Sequence, residues 1–325
     1  MKKCCFIIPY FGKLPNYFPV FAKTCGYNLN YDWLIFSDDN EDYIVPQNVK
    51  IIKMTFEEIQ KLIQSKFDFQ ISLNKPYKLC DYKPGYGYIF EEYIPVDKYK
   101  FWGHCDLDTI MGNLDKFLTD DILENYDKIF CLGHMILYKN TYENNRVFMQ
   151  DYNGTVLYKQ SFSTDQITVF DETHKGKNNV NSIFVSKGRP VYTEDLSLNM
   201  KILPTKFTKI TFDFASYSYK IEDYKDALYI WEKGNLYRIY IKDNKLIRED
   251  FLYAHFQQRK MKMNNKILEL DKFKIVPNSF LPLEKSKVTL ENFKKIRKNR
   301  LCLHFWQLHF KWKFQKIKKM FKDRR

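Results

Sequence analysis

Two aspartates in the segment Phe101–Asp108 stand where they could bind a divalent cation. The segment reads FWGHCDLD, so an apolar run leads directly into Asp106-Leu107-Asp108. Two carboxylates at the end of a strand can reach one hard cation, and Mg²⁺ or Mn²⁺ takes oxygen ligands while keeping positions open for phosphates. Such an ion neutralises a diphosphate leaving group. The alternative is that the pair forms a solvated turn or caps a following helix.

A second group of polar residues offers a third metal ligand together with cations for phosphate. His255 ends a strand-like run, and a neutral imidazole can ligate a metal. Arg259, Lys260 and Lys262 follow it, and each can bind a diphosphate. The alternative is a surface strand that carries an isolated histidine.

Three further segments carry side chains that could line the same cleft. Asp81 can accept a hydrogen bond from a ribose hydroxyl or a base imide, and Lys83 can approach a phosphate. Asp171 and Glu172 are adjacent carboxylates that can bind a substrate hydroxyl or act as a general base. His134 follows a strand-like run and is expected in the cleft. Each also has a structural interpretation, as part of a polar loop, a helix N-terminus or a packed core.

These residues must be positioned by a sheet, and the first half of the chain has the pattern of an α/β fold. Helices are predicted over Pro15–Thr24 and from the capping residue Thr55 to about residue 66. They alternate with short apolar strands predicted at Cys4–Ile8, Trp33–Ser37, Val49–Met54, Tyr99–Cys105 and Ile129–Leu132. Alternating strands and helices imply a mostly parallel or mixed sheet. Because ligands bind beyond the carboxyl ends of such strands, Asp38-Asp39 and Asp106-Leu107-Asp108 are expected at one edge.

The pattern changes after about residue 212 to a C-terminal β-hairpin region. Ala227–Trp231 and Leu236–Ile241 flank a turn that contains Gly234. Lys245–Gln257 is a further strand-like run, and Leu268–Pro277 closes the folded body. We therefore predict a catalytic domain in residues 1–285 and a separate tail in residues 286–325.

Most of the net charge lies in that tail. The whole chain has a net charge of +14, and residues 294–325 contain 13 Lys or Arg and one acid, Asp323, so the rest of the chain is near +2. As a helix, the tail would place Leu303, Trp306, Phe310, Ile317 and Phe321 on one side. Such a basic amphipathic helix is typical of an anionic membrane surface.

Two other interpretations of the tail stay open, nucleic-acid binding and a solvated tail of no specific role. A basic aromatic segment can track phosphates and stack on bases. A nucleic-acid enzyme usually spreads its charge along the binding groove, however, and here the remainder of the chain is nearly neutral. We therefore do not expect nucleic acid as the partner.

The cysteines and the N-terminus favour a reducing compartment. Seven cysteines are scattered without a Cys-x-x-Cys spacing, as expected for small buried apolar residues rather than a disulfide framework or zinc ribbon. The apolar run before Pro9 is too short for a signal peptide, and no apolar run is long enough to span a bilayer. We expect a cytoplasmic protein that is peripheral on the inner face of the plasma membrane.

Four stretches together resemble bacterial surface-polysaccharide glycosyltransferases of the GT-A type that carry a DXD motif. They are Ile7–Gly12, Lys78–Pro84, Trp102–Asp108 and Ala254–Gln257. The resemblance implies a GT-A-like, Rossmann-type sheet flanked by helices. It further implies Mn²⁺ or Mg²⁺ on Asp106, Asp108 and His255, with the nucleotide held near Asp81 and Lys83.

The resemblance also implies an activity, the transfer of a sugar from a nucleoside-diphosphate sugar, with a UDP-sugar as the expected donor, to a glycan or lipid-linked acceptor. Tyr10, Phe11 and Asp38 or Asp39 would contact the nucleoside. If the reaction inverts the anomeric centre, Asp171 or Glu172 would be the base, and a retaining reaction needs none. The alternatives are a metal-dependent nucleotidyltransferase or phosphohydrolase, and a non-catalytic nucleic-acid-binding protein. Gly12 is the single glycine of the N-terminal loop, which argues against a phosphate-binding loop.

Overall fold

The computed structural model describes residues 1–325 except 174–175, 202, 204–205, 224, 258, 284–286, 298–303 and 323–325. The predicted boundary between residues 285 and 286 lies outside the described residues, as does Leu303 of the predicted tail helix. None of the helices in the described ranges combines the length and apolar character that crossing a bilayer requires.

The strands of the first two-thirds of the chain are β1 (Lys2–Pro9), β2 (Tyr31–Ser37), β3 (Val49–Lys53), β4 (Tyr99–Cys105), β5 (Thr109–Met111), β6 (Lys128–Ile129), β7 (Met135–Lys139), β8 (Val191–Tyr192) and β9 (Leu198–Asn199). The later strands are β10 (Ile210–Asp213), β11 (Ser218–Ile221), β12 (Leu228–Glu232), β13 (Asn235–Lys242), β14 (Lys245–Phe251), β15 (Tyr253–His255), β16 (Lys272–Val276) and β17 (Ser279–Pro282).

The α-helices are α1 (Phe18–Cys25), α2 (Phe56–Ser65), α3 (Leu79–Tyr82), α4 (Tyr86–Ile89), α5 (Leu114–Phe117), α6 (Asp120–Asn125), α7 (Leu157–Phe162), α8 (Val180–Ser186), α9 (Lys266–Glu269), α10 (Leu290–Ile296) and α11 (His304–Lys322). Short 3₁₀ turns lie at Pro76–Lys78, Lys83–Gly85, Glu91–Tyr93 and Asn144–Met149. The predicted cap of α2 is confirmed, since Thr55 and Glu58 form a reciprocal capping box.

A seven-stranded sheet with the order β3-β2-β1-β4-β7-β6-β8 forms the centre of the fold. Strands β3, β2, β1 and β4 run parallel, and β7 then pairs antiparallel with β4. The predicted α/β class with a mixed sheet flanked by helices is therefore confirmed.

Both faces of this sheet are covered, which explains why its strands are continuous apolar runs rather than alternating ones. Successive residues of β1 enter two different cores: Cys5 and Ile7 face one side, and Cys4 and Phe6 face the other. Helices α2, α3, α4, α7 and α8 contribute to the first core, and α1, α5 and α6 contribute to the second.

The described residues also form three smaller sheets. The predicted hairpin is present as β12 and β13 in a five-stranded antiparallel sheet of order β14-β13-β12-β16-β17. A three-stranded sheet of order β5-β15-β9 joins the central sheet through the turn between β4 and β5, and β10 and β11 form a two-stranded hairpin. The strand-like run predicted over Lys245–Gln257 is divided in the structure, because β14 belongs to one of these sheets and β15 to another.

A substitution at Gly103, in the middle of β4, tests the close packing of β4 against β7 in the central sheet. A Cβ atom there would lie 2.6 Å from the carbonyl oxygen of Ile136 on β7. We expect Gly103→Ala to lower the free energy of unfolding by about 1–3 kcal/mol, the usual cost of overpacking, in chemical denaturation. Lys100→Ala, at an exposed position on the same strand, is the control and should change it by less than about 0.5 kcal/mol. Equal stabilities of the two variants would contradict this account.

Candidate metal centre and two adjoining cavities

The candidate metal centre is built where the central sheet passes into the three-stranded sheet. Strand β4 ends at Cys105, Asp106 and Asp108 occupy the turn, and β5 begins at Thr109. Strand β15 pairs antiparallel with β5 and places His255 opposite Thr109. The amide of Phe256 donates to the carbonyl oxygen of Asp108 over 2.9 Å. Backbone pairing alone therefore brings His255 to the aspartate turn.

The two aspartates and His255 form a compact set of donor atoms. One ligand atom from each lies within 4.8 Å of the others. His255 Nε2 is 3.4 Å from Asp108 Oδ1 and 4.0 Å from Asp106 Oδ2. The side chains of Asp106, Asp108 and His255 are 36%, 17% and 12% exposed, so the group opens to solvent through Asp106. This set can hold a divalent cation.

The orientation of His255 is fixed by hydrogen bonds on the side away from the carboxylates. Its Nδ1 lies 3.1 Å from Asn199 Oδ1, which also accepts from Gln257 Nε2 over 2.8 Å. Because an amide oxygen only accepts, Nδ1 carries the hydrogen and the lone pair of a neutral ring is on Nε2, toward the carboxylates. A metal-ligating histidine is typically held in this way.

The charge of the two aspartates acts on the imidazole. Burial by itself would lower the pKa of His255, but Asp108 and then Asp106 raise it above its ordinary value. The electrostatic potential at the imidazole of His255 is therefore negative, as a cation site requires.

Lys83 partly neutralises the same acidic group from the opposite side. Its Nζ lies 2.9 Å from Asp106 Oδ1 and 3.8 Å from Asp171 Oδ2, and it donates to the carbonyl oxygen of Gly133 over 2.8 Å. Burial would lower the pKa of Lys83, but Asp106 and Asp171 hold it well above its ordinary value. The amine is therefore a fixed positive charge between the metal centre and the second carboxylate pair.

The second carboxylate pair is Asp171 and Glu172. Asp171 is buried, and burial raises its pKa to about 8, with Lys83 acting in the opposite direction and Glu172 adding to the rise. Glu172 accepts from the amide of Gly133 over 2.8 Å. A Cβ atom at residue 133 would lie 2.7 Å from Asp171 Oδ2, so a glycine is needed for the two carboxylates to approach this loop.

His134 packs against the metal centre without belonging to its donor set. Its ring stacks on that of His255 with centroids 4.5 Å apart, and its Nδ1 lies 2.6 Å from the hydroxyl of Tyr253. Burial, followed by the charge of His255, lowers the pKa of His134 well below its ordinary value. His134 is therefore a neutral side chain that supports the position of His255.

Two cavities meet at the aspartate turn. The first cavity, of about 870 Å³, and the second cavity, of about 750 Å³, share the residues Pro9, Tyr10, Tyr77, Lys83, Tyr86, Asp106 and Asp108. The first extends to Asn16, Tyr17, Lys260, Lys262 and Asn278. The second extends to Phe11, His134, Asp171, Glu172, Asn199, Tyr219, His255 and Gln257. Most of the sequence-predicted site residues are thus brought together around one turn.

Three predicted donor-binding carboxylates lie outside both cavities. Asp81 is fully buried, paired with Lys78 over 2.7 Å, and accepts from the amides of Thr168 and Phe170. Its oxygens hold the segment that leads into Asp171, so we assign it a positioning role in place of a donor contact.

Asp38 and Asp39 lie at the carboxyl end of β2 as expected, but they bind the N-terminal loop. Asp38 accepts from the amide of Gly12 over 2.6 Å, and Asp39 accepts from the amide of Leu14 over 2.8 Å. They shape the loop that carries Tyr10 and Phe11, and those two aromatic residues, unlike the aspartates, line the cavities.

The three predicted phosphate-binding cations that follow His255 differ in their surroundings. Arg259 is buried, and its guanidinium donates to the carbonyl oxygens of Lys201, Leu203 and Pro277, so its role in the cavity wall is structural. Lys262 is exposed at the rim of the first cavity, where Lys260 accompanies it. The lysines, rather than the arginine, are therefore placed to meet a phosphate.

Sequence reasoning missed the residues that orient the others. Asn199 belongs to β9, a strand of two residues, and a strand so short has no recognisable pattern. Gln257, two residues after the end of β15, adopts a positive φ of 51°, and Gly133 is explained only by its distance from Asp171. The one available signal was the proximity of Gln257 to His255 in the sequence.

Residues 6–284 match the family DUF6625, which is described as a family of unknown function. The chain belongs to this family. No curated protein matches it. Among the solved structures that match is the apo form of mouse xyloside xylosyltransferase 1, which is 8% identical, with a TM-score of 0.32. The match covers 62% of this chain and 88% of that one.

The metal centre can be tested with the metal alone. We expect Mn²⁺ to bind in isothermal titration calorimetry, and Asp106→Ala, Asp108→Ala and His255→Ala each to weaken it by about tenfold or more, since loss of an outer-shell partner alone costs that much. Asp97→Ala removes an exposed carboxylate before the opposite end of β4 and serves as the control. Equal Mn²⁺ affinity in all four variants would exclude this centre.

Proposed function

We propose that this chain is a metal-dependent glycosyltransferase that uses a nucleoside-diphosphate sugar. The observation that supports this most directly is the position of Asp106, Asp108 and His255 at the junction of two cavities. A transferase must bring two substrates to one reacting atom, and a cavity on either side of a cation site provides this arrangement. Each volume lies within the range of small-molecule sites.

The donor is assigned to the first cavity. Tyr10 offers a ring on which a base can stack, and Lys260 and Lys262 offer positive charge at the rim. Since the aspartate turn also borders this cavity, a diphosphate would lie between the lysines and the cation. We propose a UDP-sugar as the donor, in line with the resemblance of the motifs.

The acceptor is assigned to the second cavity, whose lining combines aromatic and hydrogen-bonding side chains. Phe11 and Tyr219 offer apolar faces, while Gln257 and Glu172 offer groups for hydroxyls. This mixture suits a sugar, whose ring has an apolar face and a polar edge. A glycan or lipid-linked sugar is therefore the proposed acceptor class.

The donor set favours Mn²⁺ over Mg²⁺. Mg²⁺ strongly prefers oxygen ligands, and here one of the three ligands is an imidazole nitrogen. When bound, the cation would neutralise the negative charge that develops on a departing diphosphate. Asp106, Asp108 and His255 would hold it, and Lys83 would reduce the repulsion between the surrounding carboxylates and the phosphates.

We further propose that Asp171 is the general base of an inverting transfer. The bond from the anomeric carbon to the diphosphate oxygen breaks, and a bond from that carbon to the acceptor oxygen forms. The proton of the acceptor hydroxyl passes to the Asp171 carboxylate. A base whose pKa is raised toward the working pH holds that proton better than an ordinary carboxylate does.

The donor assignment predicts that UDP binds in the presence of Mn²⁺ and not without it. It also predicts that the enzyme slowly hydrolyses its preferred UDP-sugar and thereby releases UDP. We expect Asp106→Ala and Asp108→Ala to reduce UDP release by about a hundredfold or more, because cation stabilisation of the leaving group contributes several kcal/mol. A coupled assay for UDP measures the rate of this release, and Asp97→Ala is the control variant. Release of UMP or inorganic phosphate instead of UDP would favour the nucleotidyltransferase or phosphohydrolase alternative.

The base assignment predicts a pH dependence. Because Asp171 acts only when deprotonated, kcat/KM should rise with pH through about 8 and become level above it. Asp171→Asn should lower kcat by about a hundredfold or more and abolish this rise, with Mn²⁺ affinity unchanged. Glu172→Gln keeps an acceptor for the Gly133 amide and should retain the rise. A retaining product, or an unchanged profile in Asp171→Asn, would overturn the assignment.

A further inference from the structure

Helix α11 carries an exposed apolar stripe. Trp306, Phe310, Phe314, Ile317 and Met320 follow one another at spacings of three or four residues, so they share one side of the helix. Each of these side chains is between 48% and 67% exposed. A row of five large apolar side chains on a solvent-exposed surface marks a site of interaction.

Positive charge lies along the same helix. Lys311 and Lys318 are exposed on the flank of the stripe, and Lys313 is exposed near its middle. The segment 294–325 contains 13 Lys or Arg and a single acid, whereas the rest of the chain is nearly neutral. The partner of this helix must therefore present both an apolar region and negative charge.

The helix also reaches the first cavity. Gln307, one residue after the start of the stripe, lines the first cavity together with Lys260 and Lys262. Whatever the stripe binds will consequently lie close to the mouth of this cavity.

We propose that α11 lies in the plane of an anionic phospholipid surface, with its stripe in the headgroup region and its lysines on the phosphates. Aromatic rings at headgroup level and flanking lysines are the features of such interfacial helices. A nucleic acid would also meet the lysines, but Ile317 and Met320 offer it no ring for stacking, so the charge and the complete stripe together favour lipid. This inference does not depend on the proposed transferase activity.

Vesicle co-sedimentation of the full chain tests the proposal, with phosphatidylcholine vesicles that contain or lack phosphatidylserine. We expect binding only to the anionic vesicles. The triple variant Phe310→Ser/Phe314→Ser/Ile317→Ser should weaken it by about tenfold or more, because the apolar area that enters the interface is lost. Lys311→Gln/Lys313→Gln/Lys318→Gln should weaken it by at least as much, since each lysine contributes about fivefold at an anionic surface.

The matched control is Ile44→Ser/Val96→Ser/Val185→Ser, which replaces three exposed apolar side chains elsewhere. This variant should bind the vesicles as the unchanged chain does, and circular dichroism should show the same fold for all variants. Equal losses in the control and stripe variants would overturn the proposal. It would also be overturned by binding to neither vesicle, or by tight binding to a single-stranded oligonucleotide without binding to anionic vesicles.

Discussion

The arrangement depends on holding several carboxylates together around one turn against their mutual repulsion. Asp106 and Asp108 leave β4 side by side, and Asp171 approaches the same point from another segment. Lys83 lies between Asp106 and Asp171 and is largely buried, and its charge is compensated chiefly by Asp106, the nearer of the two carboxyl groups. One amine cannot neutralise the whole group, and the remaining negative charge is concentrated where Asp106, Asp108 and His255 converge.

This electrostatic constraint explains why backbone pairing, rather than side-chain packing, places the third ligand. A histidine on a mobile loop would move away from the aspartates whenever it lost its proton. Here β15 is hydrogen-bonded to β5 on one side and to β9 on the other, so His255 is fixed next to the turn in either state. Asn199, its neighbour on β9, then sets the direction of the ring. The three-stranded sheet is small, but it holds His255 beside the aspartate turn and sets the direction of its ring.

The sequence was sufficient for strands β1 to β4 of the central sheet and for the aspartate turn, because both rest on local signals. Tyr99–Cys105 is a strand with the bounds predicted from its apolar run, and Thr55 with Glu58 caps α2 as expected. The antiparallel pairing of β7 and the split between β14 and β15 could not be predicted, because they depend on contacts between distant segments. The same limit applies to Asp81: its sequence position suggested a donor contact, but only the fold shows that Lys78 and two backbone amides occupy its oxygens.

The two acidic pairs have the same chemistry but different surroundings, and this difference separates their roles. Asp106 is partly exposed beside an imidazole, whereas Asp171 is buried and has a pKa raised to about 8. A carboxylic acid that keeps its proton near neutral pH is a poor metal ligand, since the proton occupies the oxygen that a cation needs. The same property suits a group that must receive a proton during the reaction. In the proposed reaction, the burial that accompanies the approach of Asp171 to Gly133 would therefore divide the carboxylates into cation ligands and a proton acceptor.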